Sequence, residues 1–261
     1  MEWKKAKWLI IAMLLAVNIV LGVNIAYRYT QALGAELDSL RAAAEIAPES
    51  YGFEAAMFEQ LPRYLYEYTG SRDLPAEAAV AGAIVHGECR STDEGGGVFI
   101  YHSPGVERVL FRRGGSITGI VSSDENIVIS DVIVASAQKS GLTTAGAGDE
   151  VQFSYDGTLI SNAYCSSTVY GEHTSLTGII PLSTGWTRGE KSRSRGEMVL
   201  VLKNIIEEHS LGAVKTVKAV YFAESIDSQT HLLTPAWQVE CHSGSFTVSI
   251  MDKRVLELSV N

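Results

Sequence analysis

Six histidines, three cysteines and the acids near them are the side chains with which this 261-residue chain can do chemistry. His86, His102, His173, His209, His231 and His242 share no metal-ligand spacing. The closest clusters are His86 with Glu88 and Cys89, and Cys241 with His242. Zinc needs three or four converging ligands, and a short H-x-E-C run has no such geometry of its own. There is no G-x-S-x-G, no H-E-x-x-H, no phosphate-cradling P-loop and no dinucleotide fingerprint. Gly95-Gly96-Gly97 lacks the lysine and hydroxyl of a phosphate cradle, and Gly146-x-Gly148 reads as a flexible turn. The sequence therefore points to no catalytic residue, no cofactor, no metal and no small-molecule substrate.

Two other groups carry recognition chemistry. Trp186, Arg188, Lys191, Arg193 and Arg195 form a basic run with an aromatic neighbour, blunted by Glu190 and Glu197. Such a run is either a solvated loop or a docking patch for an acidic protein surface or an anionic wall polymer, with Trp186 as apolar anchor. The second group lies inside an apolar stretch, where Asn18 stands one helical turn from Gly22, with Ala12 and Ala16 on an adjoining face. Hydrocarbon offers no hydrogen bonds, so an Asn there gains roughly 0.6–2 kcal/mol by reaching a neighbouring helix. The alternative is that Asn18 bonds its own backbone and the helix sits alone in lipid.

The element that holds Asn18 runs from Trp8 to Ala26, apolar except for Asn18 and Asn24. Nineteen helical residues rise about 28 Å, the thickness of a bilayer core. Lys4, Lys5 and Lys7 precede it and favour a cytoplasmic N-terminus. Tyr27, Arg28 and Tyr29 follow and read as an interfacial belt. A cleaved export signal is the rival reading, with Ala32 and Gly34 as a weak cleavage site. The retained anchor is preferred because the apolar run is long. It predicts a single-pass cell-membrane protein with its C-terminal part extracytoplasmic.

The formal charge is −9, although the seven-residue tail is positive. An acidic exterior argues against nucleic acid and against an ectodomain lying flat on anionic lipid. Cys89, Cys165 and Cys241 are too few and too far apart for a disulfide-rich scaffold. One bridge plus a spare thiol, or three thiols packed as small apolar groups, both remain open.

Beyond the span, Leu33, Leu37, Leu40 and Ala44 make an apolar stripe that suits packing on the chain's own ectodomain or short self-association. Pro48 ends it, and a helix is expected over 53–68 with Pro62 dividing it. Pro75 opens a helix reaching about His86. Strands are expected at 98–101, 106–113, 116–121 and 128–135, then a Gly-, Thr- and Ala-rich linker at 139–150. Asp156-Gly157 marks a hairpin between 151–155 and 158–164. Residues 174–195 show no clean period, 197–209 read as an amphipathic helix, and strands return at 214–222, 236–241, 245–251 and 254–258. In the strand at 236–241, Trp237 alternates with Val239 and Cys241 and reads as core, with an exposed partner wedge as the other possibility.

This order predicts an α+β protein: one transmembrane helix, then two small lobes, each a helix packed on a mainly antiparallel sheet. The segments are a cytoplasmic tail (1–7), anchor (8–27), membrane-proximal helical segment (28–70), first lobe (71–138), linker (139–150) and second lobe (151–261).

Two stretches carry a family resemblance. Met-Glu-Trp-Lys-Lys-Ala-Lys running straight into the apolar helix resembles the start of the YycI proteins of low-GC Gram-positive bacteria. Tyr221-Phe222 and Leu233-Thr234-Pro235-Ala236-Trp237-Gln238-Val239 resemble the final lobe shared by YycI and YycH. The resemblance implies a non-enzymatic, membrane-anchored accessory protein. Its partners would be a sensor histidine kinase controlling cell-wall metabolism and a YycH-like protein, reached largely through transmembrane contacts. An envelope-assembly scaffold without a kinase, and less plainly an extracytoplasmic hydrolase, are the competing readings.

Overall fold

The computed structural model describes residues 2–46, 51–85, 88–122, 129–146, 150–192 and 195–260. Its first element, α1 (Glu2–Ile46), is a single helix of 45 residues and about 68 Å. The window Met13–Gln31 is apolar and long enough to span a bilayer, and none of it is buried against the protein. Leu14, Val20, Val23 and Ile25 are each more than half exposed. A bare apolar cylinder of this kind suits lipid rather than water. Nothing interrupts the helix between the expected anchor and the expected stripe. Beyond the span, α1 packs on α5 (Arg195–His209) and on the short α2 (Ala55–Glu59).

The expected helix over 53–68 forms only as the short α2, followed by turn and coil and then the start of a strand. α2 stops before Pro62, and β1 (Tyr66–Arg72) begins with alternating tyrosines. Aromatic residues at every second position fit a pleated surface better than a helix. α3 (Leu74–Ile84) starts as expected: Asp73 accepts from the Ala76 amide at 2.9 Å, and proline sits in the first turn. The expected strand at 128–135 is instead covered, over its described residues, by α4 (Ile129–Lys139). Its β-branched residues suggest a strand, but Ile133 and Ala137 form a buried i,i+4 pair. Asp131 and Lys139 sit at the helix ends that favour their charges.

Among the described residues, fourteen strands form two joined sheets. The first contains β1, β10 (Ser183–Lys191), β11 (Val214–Ser225), β12 (Thr230–Cys241), β13 (Gly244–Ser249) and β14 (Val255–Val260). The second runs β2 (Arg90–Gly95), β3 (Val98–His102), β4 (Arg108–Phe111), β5 (Ser116–Ser122), β9 (His173–Ile179), β8 (Thr158–Tyr170), β7 (Glu150–Tyr155) and β6 (Thr143–Ala145). Within each sheet the pairing is antiparallel. The Asp156-Gly157 turn between β7 and β8 has φ of 49° and 73°, as a tight hairpin demands.

The α+β class stands, but the sheets divide the chain differently from the expected lobes. β5 pairs with β9 across the expected linker, and Thr143–Ala145 of that linker forms β6. β1 and β10 join the C-terminal strands. The unpatterned stretch 174–195 becomes β9 and β10, because many positions there are Gly, Ser and Thr, whose small polar side chains mask a period of two.

The sheets meet at a parallel contact between Tyr221 and Ile160. There the Asn162 amide stands in for a strand neighbour: its nitrogen donates to the Ala223 carbonyl at 2.9 Å and its oxygen accepts from the Ala223 amide at 2.8 Å. A second tie is the buried Arg72–Glu77 pair, with N–H···O distances of 2.6 and 2.8 Å. Arg72 also donates to the carbonyl of Gly97, in the turn between β2 and β3, at 2.6 Å. Trp237 is core, 2 % exposed, with Phe58 at 5.7 Å between ring centres. Cys165 and Cys241 are buried free thiols, and Cys89 is a half-buried one.

Candidate functional site

The basic run lies on β10 and the start of α5, and the structure splits it. Arg195 is buried at 7 % exposure and donates to the carbonyls of Phe58, Glu59 and Leu61 at 3.0–3.3 Å. Those carbonyls belong to the end of α2 and the turn after it, where the helix does not continue; the Phe58 carbonyl also accepts from the Leu61 amide at 3.2 Å. Arg195 is thus a structural cap and not part of a docking patch. Trp186 is half-buried, its indole N–H donates to the Ser140 carbonyl at 3.1 Å, and its ring lies 5.5 Å from Tyr155. It closes the core rather than projecting to a partner. Arg193 lies outside the described residues, as do His86, Pro48 and Gly148.

Arg188 and Lys191 remain exposed, and a bulge aims them. Tyr66 pairs with Lys191 and Tyr68 with Arg188, so three steps on β10 oppose two on β1. In a regular strand, residues three apart point to opposite faces. The extra residue brings Arg188 and Lys191 to the face that carries Tyr66 and Tyr68. The Arg188 guanidinium then sits 3.2 Å from the centre of the Tyr66 ring, and Lys191 Nζ 3.3 Å from that of Tyr64. Arg63 completes the series, 5.1 Å from the Tyr64 ring and 6.0 Å from that of Tyr29 on α1. Each such contact is worth about 0.5–1 kcal/mol at an exposed site.

Carboxylates gather on the opposite face. Glu67 alternates away from the tyrosines. Its carboxyl is held above the usual range by partial burial and then by Glu190, Glu224 and Asp252. The tyrosine face therefore brings together Arg63, Arg188 and Lys191, with one exposed carboxylate among them, Asp156, which accepts from the Tyr68 hydroxyl at 3.5 Å. It is continuous inward with Tyr68, Tyr155 and Tyr221, whose ring centres lie 4.8–6.5 Å apart. Burial raises the Tyr221 hydroxyl well above its ordinary value, as expected of a ring that packs rather than ionises.

On the candidate membrane span of α1, Asn18, Gly22 and Ala16 are exposed, and a methyl group added at Gly22 would touch nothing within 4 Å. Asn18 and Gly22 share a face one turn apart, open to a neighbouring helix. Ala12 lies on α1, and its side chain is outside the described set.

Among the described residues no three of His, Cys, Asp and Glu converge as metal ligands. An open groove of about 540 Å³ is lined by His102, Ser103, Glu107, Arg108, Ile120 and His173 among others, and the Glu107 carboxylate accepts from the Ser122 amide at 2.9 Å. His231 is 1 % exposed and its pKa is pushed down to about 4, first by burial and then by Arg72.

No protein-family model matches the chain, and no curated protein matches it. Among solved structures, it is similar to the crystal structure of an uncharacterized protein from Eubacterium rectale. The TM-score is 0.39 at 10% identity, covering 76% of this chain and 87% of the other.

Proposed function

We propose that this chain is a membrane-anchored regulatory subunit that acts by contact rather than by catalysis. Its N-terminal tail faces the cytoplasm and its folded body lies outside. The observation that carries the reading is the uninterrupted helix α1, apolar and bare over Met13–Gln31 and packed on α5 beyond it. A span joined without a flexible break to a folded body transmits that body's position into the bilayer.

The resemblance to YycI supplies the partner: a sensor histidine kinase, engaged together with a YycH-like protein. In this account the face bearing Asn18 and Gly22 packs on partner helices. Docking of the ectodomain changes that packing, and the kinase shifts between states to the extent that the two packings differ in free energy. An Asn contact of roughly 0.6–2 kcal/mol corresponds to a three- to thirty-fold shift. Asn18→Leu should therefore lower co-purification of the kinase from mild detergent by that factor. The ectodomain should keep its unfolding midpoint. Undiminished kinase recovery from the variant would remove the helix-contact mechanism. Alkaline carbonate extraction tests the anchor itself, since a retained span stays in the pellet.

A further inference from the structure

We propose that the tyrosine face carrying Arg63, Arg188 and Lys191 rests on the leaflet nearest the ectodomain and binds the phosphate headgroups of anionic phospholipid. This rests on α1 being a retained span and goes beyond it, because the span alone needs no particular lipid.

Four observations converge. First, Tyr29 lies in the last turn of the window Met13–Gln31, and its neighbours Tyr27 and Arg28 are exposed beside it. Tyrosine at this depth sits at headgroup level. Second, Arg63 reaches the Tyr29 ring from the ectodomain, and the shared Tyr64 ring links Arg63 to Lys191. The cations are thereby tied to the level of the interface and not to a distant part of the body. Third, the β10 bulge turns Arg188 and Lys191 to one face, while Glu67 takes the other. Fourth, the chain as a whole is at −9, so a cationic face beside the membrane runs against the general charge. Arginine and lysine flanking a span draw anionic headgroups at short range, and the attraction fades within about one Debye length. The tyrosines contribute rings that tolerate both the acyl boundary and water.

The general acidity of the sequence argues against an ectodomain lying on anionic lipid. The structure gathers Arg63, Arg188 and Lys191 on one face, where three cations outnumber the single carboxylate of Asp156, and so separates the local field from the net charge.

The full chain is reconstituted in nanodiscs of phosphatidylcholine alone or with 30% phosphatidylglycerol. Acylation of Lys191 by an amine-reactive reagent is then followed by mass spectrometry, with Lys215 and Lys253 as internal references. Labelling of Lys191 is expected to fall at least threefold in the anionic discs and to recover in 0.5 M salt. Arg63→Gln combined with Arg188→Gln should restore it without salt. Equal labelling of wild-type Lys191 in both discs overturns the proposal. So does protection in neutral discs by inorganic phosphate alone, which would assign the face to a soluble phosphate. Incorporation into discs, read by co-elution, reports the span separately: a chain that enters discs but shows no lipid dependence refutes the headgroup site and leaves the anchor standing.

Discussion

Acidification should weaken the folded body through His231. This ring lies on β12 between Gly70 of β1 and Ser225 of β11, with the Trp186 ring centre 6.5 Å away and Arg72 close enough to repel a second positive charge. Its folded pKa is about 4, against about 6.5 for an unperturbed histidine. Between those values the unfolded chain takes up a proton that the folded chain refuses, so stability rises with pH across that window. The contribution is whole above pH 6.5 and is lost as pH falls toward 4. With these two constants the loss is about 2 kcal/mol at pH 5 and about 3 kcal/mol at pH 4. The assay is denaturant unfolding of the full chain in detergent at pH 7 and pH 5, beside His231→Phe. Burial raises the Glu77 and Glu67 carboxyls, and these acids contribute with the opposite sign. They are present in both proteins, so the difference between wild type and variant isolates the imidazole. The wild type should lose about 2 kcal/mol more than the variant between the two pH values. Equal losses would refute the reasoning.

Two further perturbations test the ties within the fold. Glu77→Ala leaves the Arg72 guanidinium buried without its carboxylate and should cost about 3–5 kcal/mol, read as a fall in unfolding midpoint. Replacing both residues by apolar ones of similar size should cost less, because no charge is then stranded. Gly178→Ala places a methyl 2.1 Å from the Tyr164 carbonyl oxygen and 2.8 Å from the Cys165 Cα, so two paired backbones must separate. A loss of about 3 kcal/mol, equivalent to roughly 6–12 °C in Tm, is expected in a thermal melt.

What the sequence discloses depends on how local each signal is. The lysines before an unbroken apolar run, Pro75 opening α3, and Asp156-Gly157 between alternating segments each report themselves within a few residues. Trp237, Val239 and Cys241 likewise reveal a buried strand face by their spacing. β1 is hidden because Pro62 and a preceding apolar stripe draw Tyr64, Tyr66 and Tyr68 into a helical reading. α4 is hidden because Val132, Ile133 and Val134 favour extended structure until Ile133 and Ala137 find the core. The cationic face is illegible for a deeper reason. Arg63 and Lys191 are far apart in the chain, and the register slip that aligns Arg188 with Lys191 belongs to a pair of strands. The same locality explains Arg195, which reads as one more charge in a basic run but is spent on carbonyls 134–137 positions away.

The unbroken helix has a mechanical consequence. From Tyr29, which Arg63 of the folded body contacts, to Trp8 the rod measures about 32 Å. Pivoting at that fulcrum by 10° swings the inner end by roughly 5 Å, close to the rise of one helical turn. A small tilt of the folded body becomes a full step at the far end of the helix.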